Sequence, residues 1–303
     1  MSNPSSSSTS HITIGSFDGL HLGHQTIIHQ LIEQAHQNGE KAILITFSPN
    51  PIVFFQKIQT PFYLTTNQEK VRLLKGMGVD QVEVLPFDST LASTSAEIFI
   101  RQLYDRFHFS TIHVGYDFRF GNNREGNTEK LCLLGQKYGF SVHIQEPVKC
   151  GEKTISSSLI RKSVSEGKVA EVYAWLNRWY SLEGKVVHGD GRGKKIGIPT
   201  ANISSAPQKL LPKYGIYAAR IQFDDIIRPA AVSIGIRPTF YQAPVPETVE
   251  AYILDWEQDI YEKTVVLEFV QRLRDEIQYE NAAALSKQIE KDIQATRKII
   301  EHE

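Results

Sequence analysis

Cysteine is nearly missing from this chain. Its 303 residues hold two, Cys132 and Cys150, with no CxxC pair and no spaced set able to staple a small secreted domain. A disulfide framework is thereby excluded, and both thiols are expected to be reduced and buried. Long apolar runs are missing as well, since no stretch nears the roughly 20 consecutive apolar residues that a membrane-spanning helix needs. The opening Ser/Thr tract has neither the basic start nor the apolar segment of a secretory signal. Charge of one sign is not in excess either: 33 Lys and Arg stand against 34 Asp and Glu, for a net charge of -1. That removes the broad basic field by which nucleic-acid-binding proteins attract phosphate backbones. The expectation is a cytoplasmic protein with neither a nucleic acid nor a membrane as partner; nothing in the composition speaks to oligomeric state.

What is present is a chain 41% hydrophobic and 22% charged, long enough for two domains that each bury a core. Up to about Glu146, short β-branched runs alternate with helical patterns. Residues 12–15, 42–47, 81–85, 111–115 and 141–145 read as strands. After His24, the residues Ile27, Ile28, Leu31, Ile32 and Ala35 fall on one helical face. Strand, turn, helix and strand in succession predict a parallel sheet covered by helices, with ligands beyond the carboxyl ends of the strands. After Asn177 the pattern changes. Segments 182–188, 216–223, 230–234, 249–254 and 264–270 alternate like strands with little helix between, which predicts a compact antiparallel barrel. Residues 281–303 return to helix, with Leu285, Ile289, Ile293 and Ile300 on one stripe. The predicted organisation is an α/β domain over residues 11–180 and a small β-barrel domain with a C-terminal helix over 181–303.

In the first half, Gly15-Ser-Phe17-Asp18-Gly19-Leu-His21-Leu-Gly-His24 leaves a strand and opens a helix. Glycines let backbone N–H groups approach phosphate oxygens, the helix start adds partial positive charge, and imidazoles donate to developing negative charge. The same string could instead be a plain strand-to-helix turn with capping histidines. A metal site is less suited to it, because no cysteine or carboxylate cluster nearby completes a ligand set. In the second half, Gly189-Asp-Gly191-Arg-Gly-Lys-Lys195 leads to Pro199-Thr200-Ala-Asn202. It has neither the spacing of a Walker A loop nor a βαβ setting, so it is a different kind of phosphate loop or a hairpin turn.

Taken whole, these strings resemble the prokaryotic bifunctional riboflavin kinase/FAD synthetase family. The histidine string is similar to the nucleotide-binding motif of its adenylyltransferase domain, as are Val114-Gly-Tyr-Asp117-Phe-Arg119-Phe-Gly121 and Ile155-Ser-Ser157-Ser158-Leu-Ile-Arg161. The glycine-rich loop with Pro-Thr-Ala-Asn resembles the riboflavin kinase signature. The resemblance implies a nucleotidyltransferase-like α/β domain that adenylylates FMN to FAD, followed by a kinase barrel that phosphorylates riboflavin to FMN. ATP is then the co-substrate of both steps and Mg²⁺ their cofactor.

By the same resemblance, His21, His24 and Arg161 serve adenylyl transfer, with Gly15, Phe17, Asp18, Gly19, Ser157 and Ser158 around the ATP phosphates. Gly189, Gly191 and Lys195 bind phosphate in the kinase, Thr200 and Asn202 stand by the metal, and Glu250 is the catalytic carboxylate. Asp255, an odd number of residues along, would face the other side of the strand. The chain departs from the family pattern at Ser16, Asn50, Asn127 and Ser158, and at Ile236 in the kinase half. A riboflavin kinase with a degenerate or regulatory first domain is therefore the alternative.

Overall fold

The computed structural model describes residues 9–189, 197–236 and 247–303. They form two compact units, Met1–Ser157 and Ser158–Glu303.

In the first unit the five expected strands are present as β1 (Ser10–Ile14), β2 (Lys41–Ser48), β3 (Gln81–Pro86), β4 (Phe109–Gly115) and β5 (Ser141–Gln145). They pair in parallel in the order β3-β2-β1-β4-β5. Ile12, Ile43, Leu44, Ile45 and Ile112 are shut off from solvent, as parallel strands covered on both faces require. The helices are α1 (Leu22–Gln37), α2 (Pro51–Gln56), α3 (Asn67–Gly76), α4 (Ser89–Ser93), α5 (Ala96–Phe107) and α6 (Thr128–Tyr138), followed by a small hairpin of β6 (Lys149–Cys150) and β7 (Lys153–Thr154). Helix α1 buries Ile27, Ile28, Leu31 and Ala35 on its inner face. Strand order reverses between β1 and β4, and at such a switch point the two following loops part and leave a crevice. On the same sheet His11 of β1 and His113 of β4 meet at 3.2 Å through Nδ1 and Nε2, and the His143 ring of β5 stacks on His113.

Helix α7 (Ser157–Ser165) starts at the last residue of the first unit, and α8 (Val169–Leu176) packs on β8 and β13 within the second. The barrel strands are β8 (Tyr180–Val187), β9 (Ala201–Ser205), β10 (Gly215–Phe223), β11 (Ile226–Ile236), β12 (Glu247–Ile253) and β13 (Thr264–Arg274). They close in the order β10-β11-β12-β9-β8-β13. Tyr217, Ala219, Ile221, Val232, Ala251, Leu267 and Phe269 are inaccessible to solvent. The sixth strand, β9, is absent from the sequence reading. It is short, and its first residues belong to the Pro-Thr-Ala-Asn motif, which carries no alternation. Gly184 of β8 admits it: a Cβ there would come within 2.5 Å of the Ser204 carbonyl oxygen.

The last helix, α9 (Ala282–Glu301), packs on β10, β11 and β13. Its anchor is polar. Arg274 holds the buried Asp292 carboxylate through Nε and Nη2 at 3.0 and 2.6 Å. Both cysteines are free, as expected, but they are not buried: Cys150 is exposed on the hairpin and Cys132 is partly so.

Two candidate active sites

The loop from Gly15 to His21 is held from beneath. Phe17, Gly19 and Leu20 take positive φ values of 46°, 83° and 45°, a region that side chains other than glycine seldom adopt. A Cβ on Gly19 would meet Leu64 Cδ1 at 2.8 Å, so the glycine serves both the turn and the packing. Asp18 is 1% exposed. Its Oδ1 accepts the Thr65 backbone N–H at 3.0 Å, and the Gly19 N–H donates to Thr65 Oγ1 at 3.1 Å. The Asp18 carboxylate is therefore a staple of the loop.

His21 caps α1 and accepts the His24 N–H at 3.4 Å on Nδ1. That leaves the proton of the neutral ring on Nε2. The His24 ring stacks on it at 3.7 Å between centroids, with Phe17 edge-on to His24. Gly23 makes room, since a Cβ there would lie 3.2 Å from the His21 ring. His21 is thus a helix cap whose Nε2 takes no part in that bond. Ser157 joins the loop by donating from Oγ to the Asp18 carbonyl at 2.8 Å. Ser158 and Arg161 lie in α7 within the second unit.

Beside this loop is a cavity of about 390 Å³ lined by Ile14, Phe47, Phe55, Phe87, Phe118 and Phe120, with Arg119 and Arg124 also on its wall. Flat aromatic walls with two cations suit a flat heterocycle carrying an anionic tail. Sequence reasoning did not assemble these phenylalanines, because they come from four separate segments. Two departures from the family pattern have structural duties. Asn50 caps α2 by accepting the Ile52 N–H at 3.0 Å, and Asn127 caps α6 by accepting the Lys130 N–H at 2.8 Å. An amide oxygen caps a helix as a carboxylate does.

In the barrel, one register row runs around all six strands. It passes from Val187 to Asn202, Glu250, Ser233, Ile216 and Arg274. Residues directly opposite one another share a face, so the barrel sets Asn202 beside Glu250. Thr200 Oγ1 donates to Glu250 Oε2 at 3.3 Å. Gly189 is drawn in too, because a Cβ there would fall 2.1 Å from the Asn202 amide nitrogen. Four sequence-predicted residues thus converge, while Gly191 and Lys195 lie outside the described residues. Asp255 sits past the end of β12, exposed and paired with Arg297 at 2.7 Å.

Next to Glu250, between the barrel surface and α9, lies a cavity of about 500 Å³ that includes Ile216, Tyr252, Ile277 and Leu285. Tyr279 brings to it a buried hydroxyl that has no hydrogen-bond partner. On the other side of Thr200 a second hollow of about 330 Å³ is walled by Pro199, Trp256 and Tyr261. Among the described residues no group of three or more His, Cys, Asp or Glu side chains is arranged to hold a metal ion. The Thr200 hydroxyl and Asn202 amide are neutral oxygen donors, which fit Mg²⁺ when a triphosphate supplies the charge.

Residues 3–159 match the FAD synthetase family and residues 176–300 match the riboflavin kinase family. The bifunctional riboflavin kinase/FMN adenylyltransferase of Buchnera aphidicola subsp. Schizaphis graminum is 33% identical over 295 residues, 96% of this chain and 94% of that protein. That of Escherichia coli K12 is 32% identical over 283 residues, 93% and 90% of the two chains. A crystal structure described as a macrolide-efflux protein from Streptococcus pneumoniae superposes with a TM-score of 0.87 at 29% identity, covering 97% of this chain and 96% of that one. Among the described residues of this chain no helix is long and apolar enough to cross a membrane. With both halves matched in order and nearly the whole length covered, the chain belongs to the bifunctional riboflavin kinase/FMN adenylyltransferase family.

Proposed function

We propose that this chain converts riboflavin and ATP to FMN in the barrel domain, residues 181–303, and FMN and ATP to FAD in the α/β domain, residues 11–180. The observation that carries it is the convergence of Gly189, Thr200, Asn202 and Glu250 beside a cavity large enough for a flavin.

In the kinase step the ribityl hydroxyl is a poor nucleophile, and Glu250 accepts its proton as the oxygen attacks the γ-phosphate, whose bond to the bridging oxygen breaks to release ADP. Thr200 and Asn202 would hold Mg²⁺, which when bound neutralises phosphate charge. Gly189, with Gly191 and Lys195, completes the phosphate loop.

In the second step no general base is required. The FMN phosphate, with a second pKa near 6 by analogy with phosphorylated side chains, is largely dianionic at neutral pH and attacks the ATP α-phosphate as pyrophosphate leaves. His21 and His24 donate hydrogen bonds to the developing charge, the Gly15–Gly19 loop offers backbone N–H groups, and Ser157, Ser158 and Arg161 help bind the phosphates. The phenylalanine-lined cavity takes the isoalloxazine. Cytoplasmic location, where ATP is abundant, and freedom from nucleic acid and membrane belong to the same proposal.

The test is chromatography of purified protein with riboflavin, ATP and Mg²⁺, repeated from FMN. FMN and FAD are both expected. FMN alone would restore the alternative of a degenerate first domain, and no FMN would end the kinase assignment.

A further inference from the structure

A buried cation of the first unit, Lys70, has no part in the mechanism. Lys70 of α3 is 2% exposed, in a helix whose sequence, Asn67-Gln-Glu-Lys, looks solvated. Its Nζ donates to the Ser16 carbonyl at 2.7 Å and to Thr46 Oγ1 at 3.2 Å, and Thr46 Oγ1 in turn donates to the same carbonyl at 3.2 Å. Both lone pairs of that carbonyl are thereby engaged. A peptide unit is planar and trans, so its C=O and the next N–H point in opposite directions. Drawing the Ser16 carbonyl into the core turns the Phe17 N–H away from the lysine, at the point where the loop enters its run of positive φ.

An ammonium ion is costly to bury unless it is paired and hydrogen-bonded. A lysine kept here for packing alone would be better replaced by leucine or methionine. Asp18, itself buried, is the charged side chain whose field acts on Lys70. Glu69, beside it in α3, is turned instead to the Thr66 N–H at 2.7 Å.

We propose that Lys70 is a positioning residue for adenylyl transfer, its ammonium fixing the Ser16–Phe17 peptide so that the loop presents its N–H groups to the ATP phosphates. This rests on the adenylyl-transfer function proposed above. The group can titrate in an accessible range, because burial, only partly offset by Asp18, pulls its pKa down to about 8.

The second active site of the same chain supplies the control. FAD formation from supplied FMN by the native enzyme is expected to fall as the pH rises through about 8. In K70R, where the charge no longer titrates, that decline should shift to higher pH, while the pH profile of FMN formation stays that of the native enzyme. K70M should lose roughly tenfold or more in kcat for FAD formation, with its FMN formation unchanged. Three results would overturn the inference: no alkaline decline in the native enzyme, an unshifted decline in K70R, or near-native FAD formation by K70M. If K70M does not fold, as judged by circular dichroism, K70R and the native profile decide. No FAD from the native enzyme at any pH would instead remove the adenylyl-transfer function itself.

Discussion

Glu250 and His24 stand at the centre of two chemistries that a single substitution should separate. Glu250→Gln keeps an acceptor for Thr200 but removes the base. FMN formation is expected to fall about a hundredfold or more, while FAD formation from supplied FMN continues. His24→Ala should do the reverse, and both variants are read from the same chromatogram. The buried histidines of the sheet make a different prediction. Desolvation, with help from His143 and His11, holds His113 down to about 3, and desolvation, partly offset by Glu40, also lowers His11. The unfolded chain takes up a proton at His113 as pH falls past 6.5, whereas the folded chain holds that ring neutral until about 3, and His11 acts in the same direction. Stability of the first unit is therefore whole above 6.5 and drains away below it, by about 1.4 kcal/mol per pH unit for His113. Urea melts at pH 7 and pH 5 should show the loss, and His113→Gln should reduce it. At this scale the sequence was legible where function needs a string: His21, His24, Thr200 and Asn202 stand in motifs. It was silent on Lys70, whose burial is decided by Ser16 and Thr46 from elsewhere in the chain.

Among the elements, α9 shows how position sets the worth of an ion pair. Arg274 and Asp292 tie it to the barrel where Asp292 is 5% exposed, so Asp292→Ala leaves a half-buried guanidinium without its carboxylate and should cost about 1–3 kcal/mol. Arg297 and Asp255 tie the same helix to the same barrel on the exposed surface, and Asp255→Asn should leave the melting temperature nearly unmoved. Thermal denaturation of the two variants side by side checks both. The helix itself was plain in the sequence from its apolar stripe, and the central strands β1, β2 and β4 from the near-continuous apolar runs that burial on both faces demands. Strand β9 was not, since what makes Ala201–Ser205 a strand is the pair of neighbours waiting for it.

For the whole molecule, the division of labour predicts complementation. Glu250→Gln and His24→Ala proteins mixed in one tube should make FAD from riboflavin although neither does so alone, because FMN released by one can be used by the other. The boundary of the two compact units, at Ser157 and Ser158, sets what a spectroscopist will see. Trp175, Trp179 and Trp256 all belong to the second unit, so tryptophan emission follows that unit alone, and the acid sensitivity of the first must be followed by circular dichroism or by FAD-forming activity.

Barrel closure bears on how the kinase half tolerates change in length. Because β9 is paired on both sides, Asn202 answers to Glu250 on one flank and to Val187 on the other. A residue inserted between Thr200 and Ile203 would turn Asn202 to the opposite face and break two ladders at once. A residue inserted between β9 and β10 would alter neither. Deletions and insertions compatible with activity should therefore collect after Ser205 and spare the five positions before it, so that the seam of the barrel doubles as a gauge that admits one chain length only.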